Sequence, residues 1–76
     1  MGAFERNLAL GREIAEIMET INIPIWLTAD VFGGMLPDVL LHKLKHGQFK
    51  PSIFQLICFM DLTKCGLDNL CVDDYK

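Results

Sequence analysis

The stretch from His42 to Leu70, HKLKHGQFKPSIFQLICFMDLTKCGLDNL, leaves a short chain few ways to fold. It reads as a cation-rich helix end, a loop around Gly47, a Pro-Ser helix start, an apolar-striped helix and a closing turn. Pro51 cannot continue a preceding helix, and the Ser52 hydroxyl is suited to accept from an unpaired amide of the next one. Ile53, Leu56, Phe59, Met60 and Thr63 then recur at three- and four-residue steps, which predicts a helix from Ser52 to about Lys64 with one buried face. Phe54, Cys58 and Leu62 fall on its outer side. Gly66 to about Val72 is expected to form a fifth, short helix that closes the core, followed by a loose tail over residues 73–76.

Upstream, Phe4, Leu8, Leu10 or Gly11, Ile14, Ile17, Met18 and Ile21 mark the inner face of a first helix over residues 3–21. Glu13, Glu16 and Glu19 fall largely opposite. Asn22 is expected to end this helix in the left-handed conformation. Pro24 suits the first position of a second helix, running to Phe32, because its missing N–H would be unpaired there. A third helix spans residues 37–46, PDVLLHKLKH, with Leu41 and Leu44 as the expected inward pair. The prediction is a single all-α domain over residues 1–76, five short helices around one core.

A chain of 76 residues buries only about 60% of its unfolded surface, so its core must be economical. Yet 51% of the residues are hydrophobic, which predicts apolar side chains left on the surface, as at partner or oligomer interfaces. The formal net charge of −3 argues against a protein that coats nucleic acid nonspecifically. The basic character is concentrated in the segment HKLKHGQFK. Three cysteines without a C-x-x-C pair signal neither a disulfide framework nor a zinc site. With no apolar run of membrane-spanning length and acidic residues near the amino terminus, the expected location is the cytosol.

Gly47, Pro51, Ser52, Leu56, Phe59, Met60, Leu67, Asp68 and Leu70 stand at the spacing of G-x-x-x-P-S-x-x-x-L-x-x-I-A-x-x-L-x-x-x-L-D-x-L. LGREIAEIMETINIP is similar to the opening of the same pattern, and Ala29 with Gly33 to its A-x-x-x-G. The chain thus resembles the lambda-repressor/Cro-like (Xre-type) helix-turn-helix family over about residues 10–70. The resemblance implies a compact five-helix bundle and a small, commonly dimeric regulator of transcription of phage, plasmid or bacterial type.

Three departures set the functional expectation. The turn GGMLPD is two residues longer than the family pattern. Ile25-Trp26-Leu27 stands where the family carries a polar pair against the DNA backbone, and Asp38, Val39 and Leu40 stand at the base-reading positions. An acidic, aliphatic face repels phosphate and offers base edges little. The first expectation is therefore a degenerate helix-turn-helix that works by protein–protein contact, such as antirepressor-like sequestration of a transcription factor. Its contact residues would be Ile25, Trp26, Met35, Leu36, Val39, Leu40 and Phe54.

The alternative is a dimeric, sequence-specific DNA-binding repressor whose phosphate contacts are His42, Lys43, Lys45, His46, Gln48 and Lys50. The same cations also suit the negative end of a helix dipole without any ligand. His42 and His46 share a helix face at metal-ligating spacing, but the flanking lysines disfavour a cation, and no metal or cofactor is expected. No Ser-His-Asp arrangement, phosphate loop or paired carboxylates point to catalysis, so an enzyme is not expected.

Overall fold

The computed structural model describes residues 3–70, with side chains from Phe4 onward; Cys71, Val72 and the expected tail over residues 73–76 lie outside the described residues. Four helices follow in order: α1 (Ala3–Thr20), α2 (Ile25–Val31), α3 (Pro37–Lys45) and α4 (Ile53–Thr63). Among the described residues there is no strand.

The expected fifth helix does not form over residues 66–70; the chain there is irregular with a turn at Asp68-Asn69. A side chain from α1 holds this turn in place of helical bonds. The Glu13 carboxylate accepts the backbone N–H of Asp68 at 2.8 Å, that of Asn69 at 3.0 Å and the Asn69 amide at 3.3 Å. Leu67 and Leu70 still pack against the core, so the segment closes the same end of the molecule without a helix.

Helix boundaries follow from local chemistry. Ser52 and Gln55 form a capping box, in which each side chain satisfies the other's backbone N–H, at 3.2 and 2.8 Å. Lys64 ends α4 at φ 60°, a left-handed cap whose N–H reaches Met60 O. After α3, Gly47 at φ 69° lets its own N–H reach Leu44 O and the Gln48 N–H reach Lys43 O, a Schellman ending. Asn22, by contrast, is not left-handed: Lys64 is the non-glycine residue with positive φ among those described. Proline favours an extended residue before it, so the chain leaves α1 through a bend at 21–23 with no helix reversal. Pro24 sits one position before α2, where its carbonyl accepts from Leu27 and Thr28.

The core is built from Leu10, Ile14, Ala15, Met18, Ala29, Phe32, Leu40, Leu44, Leu56 and Phe59. Phe32 anchors it, with Phe59 at 5.4 Å and Phe49 edge-on at 6.0 Å between ring centres. Buried Thr28 and Thr63 return their hydroxyls to the backbone at Ile25 O and Phe59 O. The most extensive contact is between α1 and α3. Gly11 makes it possible, since a Cβ there would stand 2.2 Å from Leu44 O.

Candidate protein-contact surface

Five large apolar side chains stand out from the surface of α2, α3 and α4. Trp26 is 65% exposed, Leu36 72%, Val39 43%, Phe54 77% and Ile57 51%. Those on α2 and at the start of α3 have a local cause. On α2, Thr28, Ala29 and Phe32 take the inner face, so Trp26 and Asp30, four residues apart, share the outer one. On α3, Leu40 and Leu44 point inward, which turns Asp38 and Val39 out. Leu36 precedes α3 at the end of a turn in which Gly33 and Gly34 both have positive φ, at 101° and 73°. A side-chain-bearing residue would strain this turn.

Of the residues expected to form the contact, Trp26, Leu36, Val39 and Phe54 are exposed, whereas Ile25 and Met35 are half-buried against the core. Leu40 must be corrected. It is 0% exposed and belongs to the core, so it cannot present a surface to a partner. Leu40 and Leu41 are adjacent and both lie at helical spacing from Leu44 or its neighbours. Leu40 faces in with Leu44, one turn apart, and Leu41 is left half-buried.

Sequence reasoning missed Ile57, although its position three residues after Phe54 puts it on the same outer face. It also read Phe4 as inward, whereas Phe4 is mostly exposed and lies at the edge of Gly47.

The cationic segment is less open than its composition implies. Lys45 forms an ion pair with Glu19 of α1, and its backbone carbonyl accepts the Arg12 Nε–H at 3.3 Å. The His46 ring nitrogen Nδ1 lies 2.8 Å from His42 O, and the two imidazoles stack at 4.2 Å. His42, Gln48 and Lys50 are exposed and Lys43 is half-buried. Arg12, Glu16, Glu19, Thr20, Lys45 and His46 line a shallow groove of about 410 Å³. Its charges are of both signs, which matches neither a polyanion nor an apolar ligand.

Cys58 and Cys65 are free thiols, the first exposed on α4. Among the described residues no three His, Cys, Asp or Glu side chains converge where they could hold a metal ion. No helix among them is long and apolar enough to cross a membrane. In comparisons with known proteins, no family model, no curated protein and no solved structure matches this chain.

Proposed function

We propose that this chain is a small non-enzymatic regulator of transcription with a degenerate helix-turn-helix of the lambda-repressor-like type, α2 and α3 being its two helices. It works by protein contact, sequestering or remodelling a transcription factor. The observation that carries the reading is the exposure of Trp26, Leu36 and Val39 at and around the starts of these two helices. That is the surface a DNA-binding relative turns toward the groove. Apolar side chains there gain nothing from phosphate, but an aromatic anchor of this kind is typical of the residues that dominate protein interfaces.

The electrostatics point the same way. Asp38 stands in the first turn of α3, Asp30 shares the outer face of α2 with Trp26, and Lys45 is already engaged by Glu19. A DNA-binding dimer would have to draw its affinity from the remaining basic residues against a net charge of −3.

The test is a pull-down of the tagged chain from host lysate, with and without nuclease, analysed for protein and DNA and repeated with Trp26→Asp. The expected result is a transcription factor that co-purifies regardless of nuclease and is lost with Trp26→Asp. Enrichment of discrete DNA fragments without a protein would overturn it in favour of the DNA-binding repressor. In that case Lys43→Ala and Lys50→Ala would weaken binding and flatten its salt dependence.

A further inference from the structure

From Glu13 to Leu41 the chain carries five carboxylates, Glu13, Glu16, Glu19, Asp30 and Asp38, and no lysine, arginine or histidine. The whole of α2 and the turn into α3 therefore lie in a negative stretch. Glu13 is used by the Asp68-Asn69 turn and Glu19 by Lys45. Among the described residues the exposed Asp30 and Asp38 carboxylates have neither an ion pair nor a hydrogen bond.

These two groups bound the apolar patch. Asp30 stands one turn after Trp26 on α2, and a Cβ built on Gly34 would lie 3.7 Å from its Oδ1, so the carboxylate overhangs the turn that leads to Leu36. Asp38 follows between Leu36 and Val39 in the first turn of α3.

We infer that this patch takes a cationic amphipathic helix of the partner, whose apolar seam lies on Trp26, Leu36 and Val39 and whose flanking lysines or arginines meet Asp30 and Asp38. The inference rests on the reading of this surface as a transcription-factor contact, and adds which part of the factor is held. Charge complementarity selects the occupant. Nucleic acid, or a second copy of this chain with its net charge of −3, would bring negative charge against the same carboxylates. A neutral apolar segment would take the carboxylates out of water without a counter-charge, which is costly. A cation on each flank removes that cost, speeds encounter and fixes register.

The cations of α3 begin one turn beyond Asp38, at His42. The partner's positive side chains are thus placed at the Gly33-Gly34 end of the patch and not along α3. In a transcription factor, a helix of this composition is one that meets DNA phosphates.

The experiment uses the full chain and two synthetic helical peptides that share one leucine seam, flanked by lysine and arginine in the first and by glutamate in the second. Trp26, the sole tryptophan, reports on the patch through its own emission. The expected result is a saturable shift of that emission to shorter wavelength with the cationic peptide, weakened by added salt, and no shift with the acidic one. Asp30→Asn and Asp38→Asn, each checked by its melt to be folded, should weaken the cationic peptide about threefold apiece, the scale of an exposed ion pair. Asp61→Asn, whose carboxylate pairs with Lys64 on α4, should leave it unchanged. Equal shifts with both peptides, no shift with either, or binding that Asp30→Asn and Asp38→Asn together leave intact would each overturn the inference. The partner's chemistry and the transcription-factor reading can fail separately. A factor still captured from lysate through Trp26 while the cationic peptide fails removes the first alone.

Discussion

The α1–α3 side of the molecule and the outer side of α2 and α4 treat their surface groups in opposite ways. On the first side polar ends are closed internally: Arg12 reaches the Lys45 carbonyl, Lys45 pairs with Glu19, α3 ends in a Schellman motif and Glu13 gathers the Asp68-Asn69 turn. Gly11 lets the two backbones touch. On the second side α2 has no side-chain cap at its start, and although Ser52 and Gln55 close the start of α4, Trp26, Phe54 and Ile57 face outward. Groups that tie the chain to itself are thus separated from groups available to another molecule. Changes on one side should cost stability, and changes on the other should cost association.

The sharpest way to break this division is within α3 and the residue before it. Leu36 and Leu40 are one turn apart, 72% and 0% exposed. Leu40→Asp buries an unpaired charge in the core and should cost about 4 kcal/mol or more, enough to abolish cooperative unfolding in a small domain. Leu36→Asp, at the uncapped start of α3, should be neutral or stabilising by up to about 1 kcal/mol. Thermal melts of the two variants decide it. Similar melts would mean that α3 is rotated from the orientation described.

A smaller effect tests the α1–α3 contact itself. In an ordinary helix Gly→Ala is stabilising by roughly 1 kcal/mol. Here the added methyl would meet backbone, with the Leu44 oxygen at 2.2 Å, so α3 must move away. Gly11→Ala should therefore destabilise by about 1–3 kcal/mol, the range for overpacking. Gly66→Ala, where a Cβ meets nothing within 4 Å, serves as the control and should be neutral or slightly stabilising. Denaturant titration of both variants gives the comparison, and an unaffected Gly11→Ala protein would remove the close approach.

What was legible in the sequence was what neighbouring residues decide. The start of α4 is written in Pro51, Ser52 and Gln55, and its buried stripe, Leu56, Phe59 and Thr63, in residues that follow at helical steps, while Ile53 and Met60, expected inward, and Leu62, expected outward, are all half-buried. The exposure of Trp26 and Phe54 was also readable, because other residues already filled the inner faces of their helices.

Leu40 was not readable in the same way. Residues 40 and 41 are both leucine, and the rotation of α3 that chooses between them is set by the long Gly33-Gly34 turn and by contact with α1. The missing fifth helix has a similar origin. The bonds that hold residues 68 and 69 come from Glu13, 55 and 56 positions earlier, which no local pattern reports.

That long-range tie gives the mildest and most local prediction. Glu13→Gln keeps the length and one acceptor oxygen of the side chain, but replaces the second oxygen with an N–H₂ group that faces backbone donors. At least one of the two backbone bonds, now 2.8 and 3.0 Å, is lost. Because both amides belong to an exposed turn, water replaces the lost acceptor and the global cost should be only about 1 kcal/mol. The local cost is larger. Leu67 and Leu70 are half-buried and rest on the core through this turn, so hydrogen exchange at Asp68 and Asn69 should rise well before that at Leu44 or Leu56. Exchange that rises equally in α3 and α4 would show that the turn belongs to the global folding unit. Unchanged exchange would show that Leu67 and Leu70 hold the segment without Glu13.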